Sequence, residues 1–215
     1  MSKRMWITLL LLIASFIGLI WFTSNDVAQS QAASDDTVRT TQRTGKQDAT
    51  VSLVEYSDFQ CVACAAYYPV VEQVIEKYKD RISFEYRHYP LTALHRNAFA
   101  AARASEAAGK QGKFWEMYRL LFNNQPSWSE SGNAPTIFEG YARQLGLNAN
   151  TYKIDFASSE TNGVINASIK EFNSLGLPKS TPTFILNGKR IEVRNNVEDF
   201  SRLIDEQLAL SADAE

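Results

Sequence analysis

Hydrophobic residues along the chain follow two different periods, and the change between them predicts the order of the secondary-structure elements. Short β-branched or alternating runs at 51–56 and 82–86 indicate two strands on either side of a helix that ends near Lys79. The apolar positions from Leu91 to about Leu175 recur at helical spacing, broken by glycine and proline. This order predicts an α/β fold whose first two strands are parallel. The remaining predicted elements are a hairpin of strands 183–186 and 190–193 around Asn187-Gly188, and a helix over 197–210.

The N-terminal part of the chain is strongly apolar. Residues 5–22 carry no charge, and about 18 such residues are the minimum for a membrane-spanning helix. Because Lys3 and Arg4 precede this stretch, we expect residues 1–4 in the cytoplasm and everything after residue 22 outside, in a single-pass cell-membrane protein. A cleaved signal peptide is the alternative, with small residues near Ala32 at the cleavage site, and the protein would then be secreted. Both interpretations place the folded part outside the cytoplasm.

Residues 23–50 are rich in threonine, serine, glutamine, aspartate and alanine, and we expect a flexible tether there. The folded part is then expected to begin at Val51. Without residues 1–22 the chain has 22 − 2 = 20 basic and 24 acidic residues, a formal charge of −4, which does not suit a nucleic-acid binder. The hydrophobic fraction of 45% is enough for a core, and two cysteines are too few for a disulfide-stapled mini-protein.

Both cysteines, Cys61 and Cys64, lie where the first predicted strand turns into the first helix. Two cysteines at this spacing point to one side of a helical turn, near the separation that a disulfide requires. Cys61 would occupy the N-cap or first helical position, where unpaired N–H groups and the positive end of the helix dipole favour its thiolate. The sequence therefore predicts Cys61 as the nucleophile of thiol–disulfide exchange and Cys64 as the resolving thiol.

Two other interpretations of the cysteine pair are weaker. A zinc site needs two further ligands, and the histidines, His88 and His95, do not stand at the usual spacing from the cysteines or from each other. A purely structural disulfide would close so short a loop that it would hardly constrain the unfolded chain. We therefore expect redox chemistry carried by the two sulfur atoms, with no metal and no cofactor.

Two further positions are candidates for roles beside the cysteines. Glu55 lies in the strand that leads to Cys61, so it either reaches water at the strand end or is a partly buried carboxylate of raised pKa. In the second case it would exchange protons with the Cys64 thiol through water. Thr181-Pro182 precedes the hairpin, either as a trans edge proline or as a cis peptide whose neighbouring main chain an extended substrate pairs with.

Four segments resemble the bacterial DsbA-like disulfide oxidoreductases of the thioredoxin superfamily. They are residues 53–64 around the cysteines, 86–91 (Tyr-Arg-His-Tyr-Pro-Leu), 112–116 (Gly-Lys-Phe-Trp-Glu) and 181–188 (Thr-Pro-Thr-Phe-Ile-Leu-Asn-Gly). The resemblance extends from Val51 to about Leu210. It implies a thioredoxin fold with an inserted α-helical domain, behind the N-terminal transmembrane helix. Residues 51–90 and 176–215 would form the thioredoxin part, and residues 91–175 the insertion.

The same resemblance implies roles for the site residues. Cys61 would be the nucleophile, Cys64 the resolving thiol and Glu55 the buried proton relay. Pro182 would be cis, with Thr181 before it, at the substrate-binding loop.

The resemblance also implies the function and the partners. The protein would donate the Cys61–Cys64 disulfide to unfolded or reduced secreted proteins and be reoxidised by a membrane thiol oxidase. A reductase or isomerase with the same site, and a non-catalytic thioredoxin-fold binding or chaperone module, are the alternatives. Isomerases of this superfamily usually carry a dimerisation domain, and residues 23–50 give no sign of one, so we expect a monomer.

The dipeptide between the cysteines departs from the family's strongly oxidising members, which resemble Cys-Pro-His-Cys. Here it is Val62-Ala63, so no histidine in the loop stabilises the thiolate, and the nearby acidic side chains of Asp58 and Glu55 are expected to oppose it. We therefore expect a reduction potential above thioredoxin's, about −270 mV, but short of about −120 mV.

Overall fold

A five-stranded mixed sheet leads the chain to the cysteines. In the computed structural model, which describes residues 42–212, the strands are β1 (Arg43–Gly45), β2 (Ser52–Ser57), β3 (Ser83–His88), β4 (Thr183–Leu186) and β5 (Lys189–Ile191). They lie in the order β1-β3-β2-β4-β5. β2 and β3 are parallel, as the strand–helix–strand order predicts, and the other neighbours are antiparallel.

Helices fill two of the connections between these strands, and a further helix follows β5. Within the described residues they are α1 (Val62–Tyr78), α2 (Ala98–Gly109), α3 (Phe114–Asn123), α4 (Gln125–Trp128), α5 (Ala134–Gln144), α6 (Ala149–Ala157), α7 (Ser159–Ser174) and α8 (Val197–Ala212). α1 joins β2 to β3, and α2 to α7 lie between β3 and β4. The α/β class predicted from the hydrophobic periods is therefore confirmed.

Capping side chains mark where two helices of the block begin. Asn148 Oδ1, before α6, accepts a hydrogen bond from Thr151 N at 2.9 Å, and Ser158 Oγ, before α7, accepts one from Thr161 N at 3.1 Å. The short helix α4, Gln125–Trp128, has only four residues, which are too few to show a helical period.

Alternate residues of β2 face different layers. Glu55 lies opposite Tyr86 of β3 and Phe184 of β4, so these three side chains share one face of the sheet. That face is packed by α3, where the ring of Tyr118 lies 5.3 Å from the ring of Tyr86. Tyr56 points to the opposite face. Glu55 thus lies on the face of the sheet that packs into the larger hydrophobic core.

The prediction that residues 23–50 form a flexible tether is wrong at its C-terminal end. Arg43–Gly45 form β1, which pairs with β3, and Arg43 Nη2 lies 3.1 Å from Glu85 Oε2. Before it, Gln42 Nε2 donates to Glu106 Oε2 at 3.1 Å. A three-residue edge strand held by main-chain hydrogen bonds and an ion pair contains no apolar alternation, so the hydrophobic pattern could not indicate it.

The predicted membrane-spanning segment, residues 5–22, lies outside the described residues, as does most of the predicted tether. From residue 42 to residue 212, no helix has both the length and the apolar content that crossing a bilayer requires. The N-terminal anchor therefore stays a prediction.

Candidate active site

The two cysteines lie at the N-terminal end of α1, directly after the turn that leaves β2. Cys61 is the residue before the helix, with φ −68° and ψ 124°, and Cys64 lies in the first turn. Cys61 is 9% exposed, whereas Cys64 is fully buried. Both side chains are free thiols, so this is the dithiol form of the site. Cys61 therefore carries the sulfur atom that a substrate can reach.

Hydrogen bonds hold the pKa of Cys61 far below that of an ordinary thiol. The Cys64 thiol contributes most, burial opposes it, and the Thr181 hydroxyl and the backbone N–H groups of Cys64 and Ala63 add to it. Together they lower the pKa of Cys61 from 9.0 to about 5. Donors at the helix N-terminus and in the neighbouring loop thus stabilise the thiolate without a histidine between the cysteines.

Cys64 and Glu55 are both buried, and burial raises the pKa of each. Burial raises the pKa of the Cys64 thiol well above its usual value, and the hydrogen bond to Cys61 and the charges of Cys61 and Glu55 raise it further. Burial also raises the pKa of Glu55 from 4.5 to about 7, and the nearby Ser57 hydroxyl offsets part of this effect. A carboxyl group with this pKa can both release and accept a proton near neutral pH.

Glu55 does not reach water at the end of its strand. It is 1% exposed, and its Oε2 atom has no hydrogen-bond partner among residues 42–212. Of the two alternatives for this residue, the structure therefore matches the buried carboxylate of raised pKa.

The loop before β4 brings main-chain atoms to the nucleophile. The Thr181–Pro182 peptide bond is cis, and Cys61 Sγ lies 3.6 Å from the carbonyl oxygen of Thr181. Thr181 Oγ1 is buried and has no other hydrogen-bond partner within the described chain, so its hydroxyl can donate to the Cys61 thiolate. β2 and β4 are antiparallel neighbours, with Tyr56 opposite Thr183, and this pairing brings the two ends of the site together.

A buried carboxylate fixes the turn between β2 and Cys61. Asp58 accepts hydrogen bonds from the backbone N–H groups of Gln60 at 2.7 Å and Leu91 at 2.8 Å. Its Oδ2 atom also lies 2.7 Å from His95 Nδ1. The Asp58 carboxylate is therefore held in place by three polar groups. His95, a residue of the predicted insertion, thus reaches the active-site turn.

His88 lies apart from the cysteines. It is 1% exposed, and its Nε2 atom is 2.8 Å from Glu106 Oε1. Across the part of the chain that the structure describes, no three histidine, cysteine, aspartate or glutamate side chains are grouped so that they could hold a metal ion. The two histidines and the two cysteines do not form a zinc site.

Polar side chains that the sequence analysis missed support the active-site turn from the helical block. Gln125 Nε2 donates to the carbonyl oxygens of Phe59 at 2.7 Å and Cys61 at 3.1 Å. Gln60 Oε1 accepts from Asn97 N at 2.7 Å. Gln125 and Cys61 are 64 positions apart, and no local pattern in the sequence connects them. The turn is therefore fixed by tertiary contacts.

Two exposed apolar side chains flank this turn. Val62, the residue after Cys61, is 76% exposed. Leu94 is also 76% exposed, and it precedes His95, whose ring contacts Asp58. Val62 thus adds exposed apolar surface directly beside Cys61, and Leu94 adds exposed apolar surface next to His95.

Comparison with known proteins places the fold in a known family. The family model described as thioredoxin matches residues 37–206. The Na(+)/H(+) antiporter NhaA 1 of Salinispora arenicola is 34% identical over 165 residues, which are 77% of this chain and 24% of that protein. The chain spans about a quarter of the length of the curated relatives it matches.

Two solved structures show the same architecture. Oxidised BdbD from Bacillus subtilis has a TM-score of 0.69 at 20% identity, over 78% of this chain and 92% of that chain. Wolbachia pipientis alpha-DsbA1 has a TM-score of 0.71 at 19% identity, over 84% of this chain and 98% of that chain. At these identities the likeness concerns the fold, and the thioredoxin fold predicted from the sequence is confirmed. The chain belongs to the thioredoxin family.

Proposed function

We propose that this protein is an extracytoplasmic thiol–disulfide oxidoreductase that works as an oxidase and donates its Cys61–Cys64 disulfide to secreted proteins. The observation that carries the proposal is the difference between the two thiols. The accessible Cys61 has a pKa of about 5, and the buried Cys64 has a pKa well above the usual value. A stabilised Cys61 thiolate favours the dithiol form, which makes the corresponding disulfide oxidising.

The exchange proceeds in two displacement steps. A substrate thiolate attacks Cys61 Sγ of the disulfide, and the bond to Cys64 breaks with its electron pair on Cys64. That thiolate takes a proton from Glu55. The second substrate thiolate then attacks the substrate sulfur that is bound to Cys61. The substrate disulfide forms, and Cys61 leaves as a thiolate. Two electrons have passed from the substrate dithiol to the protein, which is now the dithiol.

The main chain at Thr181 supports the binding of an extended substrate. Its carbonyl oxygen lies beside Cys61 Sγ, and the exposed Val62, the next residue, adds apolar surface. A substrate segment pairing with this main chain would bring its cysteine to Cys61 whatever the neighbouring side chains are. The proposed substrates are accordingly reduced or unfolded proteins as a class.

A titration of the full chain against reduced and oxidised glutathione tests the direction of exchange. We expect a reduction potential above about −270 mV and below about −120 mV. A potential at or below about −270 mV would contradict the oxidase and favour the reductase alternative.

Two assays distinguish the oxidase from the binding module and from the isomerase. In a bacterial strain that lacks its own extracytoplasmic oxidase, the chain should restore disulfide formation and Cys61→Ser should abolish this. Equal rescue by both would favour the non-catalytic binding or chaperone module. An isomerase would instead correct wrongly paired disulfides in a purified substrate faster than it oxidises reduced ones.

Residues 5–22 are proposed to anchor the protein in the cell membrane, with the catalytic part outside and a membrane thiol oxidase reoxidising it. The uncharged stretch after Lys3 and Arg4 supports the anchor. Membrane fractionation of the full chain with N-terminal sequencing tests it. A protein that starts near residue 32 in the soluble fraction would support the secreted alternative.

A further inference from the structure

The proposed exchange requires a proton to reach and leave an atom that has no contact with solvent. Cys64 is fully buried, and Glu55, which would hold its proton, is 1% exposed. Each catalytic cycle changes the protonation of Cys64, so Glu55 must regain or release a proton between cycles. The path proposed for that proton rests on the proposed function.

Glu55 Oε2 itself and three hydroxyl oxygens of residues close to it are buried without a formed hydrogen bond among the described residues. The hydroxyls are those of Ser57, Tyr86 and Tyr118. A buried polar atom left without a partner is destabilising, and native proteins rarely group several of them. Several such atoms in one region are the setting in which one or two water molecules complete the hydrogen bonds.

The positions of the two tyrosines agree with such a group. Tyr86 lies directly opposite Glu55 in the parallel pairing of β2 and β3, on the same face of the sheet. The Tyr118 ring packs edge-on against that of Tyr86, with the centroids 5.3 Å apart. Burial raises the pKa of both tyrosines well above the usual value, and the charge of Glu55 raises both further. Both hydroxyls are therefore close to Glu55 and stay protonated.

Tyr118 also lies close to a second carboxylate, which reaches the surface. The charge of Glu72 is the next contribution to the pKa of Tyr118 after burial and Glu55. Glu72 Oε1 is buried without a partner in the described chain, while its Oε2 accepts from Arg119 Nε at 2.8 Å. The Glu72 side chain is 26% exposed. One carboxylate thus has an oxygen inside the protein and a side chain in contact with solvent.

We propose that the hydroxyls of Tyr86 and Tyr118, with bridging water, conduct protons between Glu55 and the partly exposed carboxylate of Glu72. When the Cys64 thiolate forms, Glu55 gives it a proton. Glu55 then regains one through the tyrosine hydroxyls from Glu72, which takes its own from solvent. When Cys64 is deprotonated during reoxidation, the proton moves in the opposite direction. Each hydroxyl gains one proton and releases one, so neither tyrosine is ionised.

The oxidation of the reduced full chain by oxidised glutathione separates this step from the others. Cys61 first forms a mixed disulfide, which does not require Cys64. Cys64 then loses its proton, attacks Cys61 and releases glutathione. Acid-quenched samples analysed by intact mass distinguish the mixed disulfide from the product, across pH 5–9.

For Tyr118→Phe we expect the second step to slow by about tenfold or more while the first step keeps its rate and its pH profile. Glu72→Gln should have the same effect. Because the Glu72 side chain is partly exposed, we expect this variant to fold, and it provides the test if a tyrosine variant does not fold. Tyr152→Phe is the matched control. Its hydroxyl is likewise buried without a partner in the described chain, but it lies in α6, away from Glu55, and we expect both steps to be unchanged.

Three outcomes overturn the proposal or its basis. Unchanged second-step rates in both Tyr118→Phe and Glu72→Gln overturn the proton path. Equal slowing of the first and second steps overturns it as well, because it indicates a general structural effect. Failure of the unmodified protein to form any mixed disulfide at Cys61 overturns the proposed function instead, so the two failures are distinguishable.

Discussion

The carbonyl oxygen of Thr181 lies 3.6 Å from Cys61 Sγ, although the two residues are 120 positions apart. The pairing of β2 with β4 produces this contact, because Cys61 follows the end of β2 and Thr181 precedes the start of β4. The nucleophile and the main chain that would receive a substrate are therefore delivered by neighbouring strands. The sheet thus fixes their separation more firmly than two surface loops would.

Replacing Thr181 with valine should make the nucleophile less acidic. The hydroxyl of Thr181 contributes to the low pKa of Cys61, and valine keeps the shape of the side chain without the donor. A hydrogen bond to a charged group is worth about 1.5–3 kcal/mol, so we expect the pKa of Cys61 to rise by about one pH unit or more. Thiolate absorbance at 240 nm against pH measures it, and the reduction potential should fall in parallel.

The control for this variant is Thr161→Val. Thr161 also has a buried hydroxyl without a partner within residues 42–212, but it lies at the start of α7. The pKa of Cys61 should be the same as in the unmodified protein. An unchanged pKa in Thr181→Val itself would show that the hydroxyl does not donate to the thiolate.

Glu55→Gln should change how stability depends on pH. The pKa of Glu55 is about 7 in the folded protein and 4.5 when unperturbed. Between these values the folded state holds a proton that the unfolded state has lost, so the contribution of Glu55 to stability is full below pH 4.5 and is lost as pH rises through 7. Glutamine does not titrate. Relative to the unmodified protein, the variant should therefore gain roughly 3 kcal/mol between pH 4 and pH 8.

Urea unfolding of both proteins under reducing conditions, at several pH values, gives this difference directly. The effects of Cys61 and of the surface groups occur in both proteins and cancel in the comparison. Parallel stability profiles would show that the folded-state pKa of Glu55 is close to its ordinary value, which would remove the support for a proton relay at this position.

How much of this site could be predicted depends on whether its signals are local. The strand, turn and helix around Cys61 and Cys64 lie within one short stretch, and their periods and spacing were sufficient to predict where the two cysteines lie in the fold. Glu55 stood out because a charge within an apolar strand is unusual. Thr181 and Pro182 are different, because they lie far from the cysteines in the sequence. The resemblance to a family linked them to the site, and no local pattern did.

The remaining parts of the site depend on tertiary packing, which a single sequence does not show. Gln125 is an ordinary polar residue of the helical block until the fold places its amide on two carbonyl oxygens of the active-site turn. Tyr118 has the spacing of a core residue in α3, and only its approach to Glu55 and Glu72 distinguishes it. β1 was missed for a related reason, because pairing with β3 stabilises it and its own composition does not.

Gln125→Leu should destabilise the protein and loosen the active-site turn. Leucine has a similar volume but no donor, so the carbonyl oxygen of Phe59 loses its 2.7 Å hydrogen bond in a buried position, while that of Cys61 keeps the bond from Ala65 N. We expect a loss of about 1–3 kcal/mol in the free energy of unfolding. Gln73→Leu is the control on exposed α1 surface and should change it by less than about 0.5 kcal/mol. A similar cost in both variants would contradict the support that Gln125 gives to the turn.

Gly45→Ala tests whether β1 is part of the folded protein. Gly45 has φ +79°, and a Cβ atom there would lie 2.5 Å from the carbonyl oxygen of Ile82, which already accepts from Lys46 N at 2.9 Å. Gly112 has φ +74° with open space around it, so Gly112→Ala bears the cost of the left-handed backbone, about 1–2 kcal/mol, without a clash. We expect Gly45→Ala to lower the free energy of unfolding by at least about 1 kcal/mol more than Gly112→Ala. Equal costs would mean that β1 does not pack against the chain near Ile82, as the predicted tether of residues 23–50 would require.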